Sequence, residues 1–258
     1  MKRNVLITGA AGGIGQALVQ RFLEGGDHVF AQDRDAAGLA ALVARHGAAA
    51  RLTPVQAELT DGAALAAALA APVAAHGPAT VLIANAGWAE GLSLGTTDAA
   101  TWRRDVDSNL NGAYVSVEAV LGGMRAAGGG AIVFIGSVNG VTALGHPAYS
   151  AAKAAQISYA KSIAIEFGRD GVRSNVICPG TVKTPAWQAR ADKDPQVFEK
   201  LKKWYPLGDF ATPQDIAEAS WFLASPLARM ISGAVLPVDG GLTAGNRVMA
   251  AELTLEQF

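Results

Sequence analysis

Val5-Leu6-Ile7-Thr8-Gly9-Ala10-Ala11-Gly12-Gly13-Ile14-Gly15 is the stretch whose reading decides the fold. Val5 to Thr8 has strand length, the glycines after it form a tight turn, and Gln16 to Glu24 carries a helical pattern closed by Gly25-Gly26. In that order the three pieces offer a pyrophosphate a close backbone, free N–H groups and the partial positive charge of a helix N-terminus. Glycine-rich turns occur in many settings. The position between a strand and a helix is what gives this one its meaning.

Working outward, His28 to Gln32 reads as a second strand that ends at Asp33, about twenty residues past Gly13. A carboxylate there accepts hydrogen bonds from an adenosine ribose and repels a 2′-phosphate, by about 4 kcal/mol at 4 Å and an effective dielectric of 20. Arg34 beside it offsets part of that repulsion, so NAD is expected and NADP is less favoured. The competing role for Asp33 is the N-cap of a helix over Ala36 to Arg45. Leu52 to Gln56 reads as a third strand, which Pro54 confines to an edge or terminal position. Further strands are expected at Thr80–Ala84, Ala131–Ile135 and Val172–Cys178, and a long helix over Asp98–Ala127 interrupted at Asn109 and Gly112. Apolar strands alternating with helices predict an α/β fold: one doubly wound parallel sheet, Rossmann-like, with helices on both faces. Ligands of such sheets bind beyond the carboxyl ends of the strands. The glycine turn, Asp33, Asn85-Ala86-Gly87, Ser137 and Pro179-Gly180 all fall there.

The bulk numbers agree. A chain of 258 residues with 50% hydrophobic and 17% charged side chains suits one domain over residues 1–258. Net charge is −1 without a basic block, which argues against a nucleic-acid partner. The lone cysteine, Cys178, excludes an internal disulfide and suits a reducing compartment. No signal peptide or membrane-spanning run is read, and no metal site; a cytoplasmic location is expected.

Tyr149-Ser150-Ala151-Ala152-Lys153 lies in a helical stretch from His146 to Gly168. Residues four apart share a helix face, so the Tyr149 hydroxyl and the Lys153 ammonium can enter one site. A nearby ammonium lowers a phenol pKa by roughly 1–3 units, into a range useful for proton exchange with an alcohol or ketone. The bland alternative is an amphipathic helix with a half-exposed Tyr and a solvated Lys.

Thr8-Gly9-x-x-x-Gly13-Ile14-Gly15, Asn85-Ala86-Gly87, Asn109, Ser137, Tyr149, Lys153, Pro179-Gly180 with Thr184, and Val238-Asp239-Gly240-Gly241 occur together in one order. In this the chain resembles the short-chain dehydrogenase/reductases, over roughly Val5 to Gly241. The resemblance implies hydride transfer between a nicotinamide and an alcohol or carbonyl carbon. It implies that Tyr149 moves the proton, Ser137 steadies the reacting oxygen, and Lys153 tunes the phenol and bonds the nicotinamide ribose. Asn109 would hold a water that links Lys153 to solvent. It places the cofactor on Gly9, Gly13, Ile14, Gly15, Asp33, Arg34, Asn85, Ala86, Gly87, Tyr149, Lys153, Pro179, Gly180, Val182 and Thr184, and it suggests a homotetramer. Two departures are Ala84, where many members carry Asn, and Glu58, where many carry Asp; the role of Glu58 is open.

The family also implies a small helical lid over a small-molecule alcohol or carbonyl substrate, at about 184–210. Trp187, Gln188, Arg190, Trp204 and Tyr205 are its contact candidates, with Asn139, Val141, His146 and Trp88 beside them. Polar and aromatic lining suits a sugar or polyol, and the basic lid residues leave room for an anionic derivative. The alternatives are a 3-oxoacyl-[acyl-carrier-protein] reductase and a non-catalytic dinucleotide-sensing protein. The tail from Val248 is expected to pack on a neighbouring subunit.

Overall fold

Successive strand residues point to opposite faces of a sheet, and here both faces are apolar. The computed structural model describes residues 3–47, 51–184 and 187–257. Its strands are β1 (Asn4–Thr8), β2 (His28–Asp33), β3 (Leu52–Gln56), β4 (Val81–Ala84), β5 (Gly130–Ile135), β6 (Val172–Pro179) and β7 (Val235–Val238). They form one seven-stranded sheet in the order β3-β2-β1-β4-β5-β6-β7, and every pairing is parallel.

The helices are α1 (Gly13–Glu24), α2 (Ala36–His46), α3 (Gly62–His76), α4 (Ala99–Val106), α5 (Gly112–Ala126), α6 (Pro147–Glu166), α7 (Gln188–Lys193), α8 (Val197–Lys202), α9 (Pro213–Ala224) and α10 (Arg247–Thr254). On one face, Val5, Ile7, Val29, Ile83 and Val133 pack against Leu18 and Phe22 of α1, Leu39 of α2, and Ile216 and Leu223 of α9. On the other, Leu6, Phe30, Leu82, Ile132 and Phe134 meet Leu65 of α3, Val117 and Met124 of α5, and Ile163 of α6. The doubly wound reading therefore holds. Pro54 sits on β3, an edge strand, where its missing N–H costs no ladder bond to an outer neighbour.

β1 and β4 are adjacent although two strands separate them in the chain, so the strand order reverses between them and a crevice opens at their carboxyl ends. Thr8 and Asn85 tie the crevice together. Thr8 Oγ1 accepts from the Asn85 and Ala86 backbone N–H groups at 3.0 and 3.1 Å. Asn85 Nδ2 donates to the Thr8 and Gly9 carbonyls at 2.9 and 3.1 Å.

Two boundaries move. β6 continues one residue beyond Cys178 because Pro179, although it cannot donate, still aligns with Val238 of β7. The interruption expected at Asn109 and Gly112 is a π-helical turn over Asp107–Asn111 between α4 and α5. Between β6 and α9 lie the short α7 and α8, where Lys200 pairs with Asp194 and Lys202 with Glu199 at the surface. No helix among the described residues is long and apolar enough to cross a membrane.

Candidate functional site

The glycine turn leaves the N-terminus of α1 open. Gly12 precedes the helix without a side-chain cap, so the first N–H groups of α1 have no side-chain partner. Gly9 takes φ +64°, and a Cβ on Gly15 would collide with the Gly9 carbonyl oxygen, so the turn packs too tightly for larger residues at both places. These are the features that a diphosphate needs, and the chain therefore fits the dinucleotide its sequence implies. A cleft of about 510 Å³ runs from this turn along the strand ends. It is lined by Gly9, Gly13, Ile14, Gly15, Asp33, Arg34, Asn85, Ala86, Gly87, Pro179, Gly180, Val182 and Thr184, and also by Ser137, Tyr149 and Lys153.

Asp33 accepts from the Ala11 N–H at 3.0 Å and from the Asp35 N–H at 3.1 Å. It thus braces the glycine turn, and the residue in the N-cap position of α2 is Asp35, not Asp33. Arg34 stacks on Trp88, 4.3 Å from the ring centroid, and pairs with Glu58 at 3.5 Å. Glu58, whose role the sequence left open, lines the same cleft.

Lys153 is 3% exposed, and its Nζ donates to the Ile135 carbonyl at 2.8 Å while lying 5.5 Å from the Tyr149 ring centroid. The spacing does bring the two side chains together, but the expected lowering of the phenol pKa is not what this environment produces. Burial disfavours both charged forms. It pushes Tyr149 up, against the opposing pull of the Ser137 hydroxyl, and lowers Lys153 to about 8. Desolvation is the largest influence on both groups.

Ser137 Oγ accepts from the Asn139 N–H at 3.1 Å. The Asn139 side chain is held in turn, with Nδ2 donating to the Gly145 carbonyl and Ser150 Oγ, both at 3.2 Å. Asn109 is fully buried in the π turn, and its Nδ2 donates to the Trp88 and Asp105 carbonyls at 2.6 and 2.8 Å. Its Oδ1 has no hydrogen-bond partner among the described residues. A Cβ on Gly87 would collide with that oxygen and would come within 3.6 Å of Lys153 Nζ, so Gly87 keeps this space open.

A second cleft, of about 1420 Å³, shares Gly87, Trp88, Ser137, Tyr149, Gly180, Thr184 and Trp187 with the first. Asn139, Val141, His146, Arg190 and Trp204 also line it. His146 has φ +50° at the N-cap of α6, its Nδ1 is 2.8 Å from the Gly91 carbonyl, and its Nε2 is 3.1 Å from Arg190 Nη2. Tyr205 borders this cleft too, but its hydroxyl is committed to the Thr181 hydroxyl at 2.8 Å and the Thr181 N–H at 3.0 Å. The ring is buried against Gly180 and Gly240, so Tyr205 anchors the segment rather than offering a free polar group. The Gln188 side chain lies outside the described residues.

Comparison with known proteins bears on this geometry directly. A family model described as enoyl-(acyl carrier protein) reductase matches residues 9–243. A crystal structure of an oxidoreductase of the short-chain dehydrogenase/reductase family from Burkholderia thailandensis is 66% identical, covers 100% of this chain and 99% of its own, and superposes with a TM-score of 0.95. The chain belongs to the short-chain dehydrogenase/reductase family. An uncharacterized oxidoreductase from Schizosaccharomyces pombe is 41% identical over 98% of this chain and 96% of its own. A 2-keto-3-deoxy-L-fuconate dehydrogenase from Xanthomonas campestris is 37% identical over 93% of this chain and 79% of its own.

In this short-chain dehydrogenase/reductase three positioning residues escaped the sequence reading. Gln156 is fully buried and donates to the Asn109 carbonyl at 2.7 Å, supporting the π turn. Gln32 is buried and donates to the Ala57 carbonyl at 2.7 Å, joining the ends of β2 and β3 below the cleft. Asp105 is fully buried and accepts from the Glu90 and Gly91 N–H groups at 2.9 and 3.2 Å. Asp105 stands among Arg103, Arg104 and Asp107 and gave no signal, whereas Gln32 and Gln156 are polar residues beside apolar ones. That was the available signal, since buried polar groups are retained where they have partners.

Proposed function

We propose that this oxidoreductase transfers a hydride between NAD and a secondary alcohol, or the matching ketone, on a sugar, polyol or sugar derivative. The observation that carries the proposal is the position of Tyr149 and Ser137 on the wall common to both clefts. A substrate oxygen in the larger cleft and a nicotinamide in the smaller one would meet at that wall. When bound, nicotinamide supplies or accepts the hydride and, in its oxidised form, adds a positive charge beside the phenol. Tyr149 gives a proton to the substrate oxygen in reduction and takes it back in oxidation. The Ser137 hydroxyl donates to the same oxygen and stabilises charge developing there, while Asn139 fixes its direction. Lys153, held by the Ile135 carbonyl, bonds the nicotinamide ribose and keeps positive charge near the phenol. Asn109 Oδ1, without a partner among the described residues, would accept from a water linking Lys153 with solvent.

NAD is favoured over NADP by Asp33, whose carboxylate would stand against a 2′-phosphate, while Arg34 is already occupied by Trp88 and Glu58. The sugar or polyol class is supported by the mixture of amide, hydroxyl and indole groups around the larger cleft, and by the fuconate-derived substrate in the name of the Xanthomonas campestris relative. The test combines fluorescence titration with NADH and NADPH and an absorbance assay at about 340 nm on a panel of polyols, sugars and sugar acids. Tighter NADH binding and turnover within the panel are expected. Turnover confined to acyl-thioester ketones, or tighter NADPH binding, would reverse the respective half of the proposal.

A further inference from the structure

Among the described residues that line the larger cleft, Arg190 alone carries a fixed formal charge, and none is a carboxylate. It has no ion-pair partner among the described residues. Its surroundings hold it in place without neutralising it. The guanidinium stacks over Trp187, 4.4 Å from the ring centroid, and Nη2 donates to His146 Nε2 at 3.1 Å.

The chemistry of that second contact fixes the imidazole tautomer. Arginine only donates, so Nε2 must accept; a carbonyl only accepts, so Nδ1 must carry the proton that goes to Gly91. His146 thus meets Arg190 as a hydrogen-bond acceptor. The Gly91 end of the arrangement is itself braced, because the fully buried Asp105 carboxylate accepts from the Gly91 N–H. His146 also holds a left-handed backbone conformation, in which its N–H donates to the Leu92 carbonyl at 3.1 Å. Its ring stands edge-on to Tyr149, with centroids 6.4 Å apart. A cation has thus been steered to a set place near the proton donor, with one stacked partner and one hydrogen-bond acceptor.

We infer that Arg190 binds the carboxylate of a sugar acid whose reacting hydroxyl, a short polyol chain away, reaches Tyr149. This rests on the proposed hydride-transfer reading and narrows its substrate class. An Arg–carboxylate pair uses two parallel N–H donors, and Nη2 bound to histidine leaves the other faces of the fork available. His146 acts as a positioning residue through Arg190.

The experiment compares aldonates of four to six carbons with the alditols of the same carbon chain. Binding is measured by calorimetry in the presence of NADH, and turnover is measured separately. Aldonates are expected to bind the wild-type protein, and Arg190→Gln should weaken them by roughly 10- to 100-fold with alditols unchanged. In turnover the same variant should raise KM for the acids and leave kcat nearly intact. His146→Ala should repeat the KM effect more weakly, and His146→Gln, which can donate and accept, should restore much of it. Equal affinity for acids and alditols, no aldonate binding, or an unchanged affinity in Arg190→Gln would overturn the inference. Arg190-dependent aldonate binding without any turnover would uphold the anion site and defeat the hydride-transfer reading instead.

Discussion

Tyr149 and Lys153 stand where two effects of opposite sign compete. The i to i+4 spacing was legible in the sequence, and so was the proximity it produces. The sign of the phenol shift was not, because desolvation depends on β5 and the Ser137 segment, which reach the pair only after folding. Tyr149→Phe should lower kcat by about 10²- to 10⁴-fold while the affinity for NADH, measured by fluorescence titration, stays near wild type. Lys153 gives a second test, through stability. Its folded pKa of about 8 lies below the 10.5 of an unperturbed lysine, so between those values this side chain binds more protons in the unfolded chain than in the folded one. The Lys153 contribution to stability should therefore rise with pH across that window, by about 3 kcal/mol, against the opposite trend of the raised Tyr149 and Cys178. Denaturant titrations at either end should show this increment as the difference between wild type and Lys153→Met.

The π-helical turn between α4 and α5 shows what an element-level reading can and cannot supply. Asn109 and Gly112 marked an interruption in the chain text, and the structure places one there. Its support comes from elsewhere. Gln156 lies on α6, 47 positions along the chain from the Asn109 carbonyl it bonds, and no local pattern links the two. Gln156→Leu should leave that buried carbonyl without a partner and cost about 1–3 kcal/mol in denaturant unfolding. It should also reduce kcat more than NADH affinity, since the turn carries Asn109 and touches nucleotide only indirectly. The segment over 184–210 was legible as a charged and aromatic insertion between strands. That Tyr205 spends its hydroxyl on Thr181 was not, because the partner is set by how the chain folds back on β6.

For the molecule as a whole, strand alternation and the edge position of the proline-bearing strand followed from the sequence, whereas the tie between Thr8 and Asn85 joins residues far apart in the chain. Because the nucleotide cleft is assembled from the ends of several strands, a ligand seated there should stabilise the entire fold. NADH at one hundred times its dissociation constant should add about 2.7 kcal/mol to unfolding, and NADPH at the same concentration distinctly less. Thermal scans with each nucleotide check the order directly; equal shifts would remove the basis for the Asp33 argument.

The bonds from Thr8 and Gly9 to Asn85 make two loops into one mechanical part. One is the glycine turn proposed to receive phosphate, and the other ends at Gly87, in the gap between Asn109 and Lys153. If the coenzyme seats there as proposed, a substitution at Thr8 or Asn85 should change nucleotide affinity and turnover together.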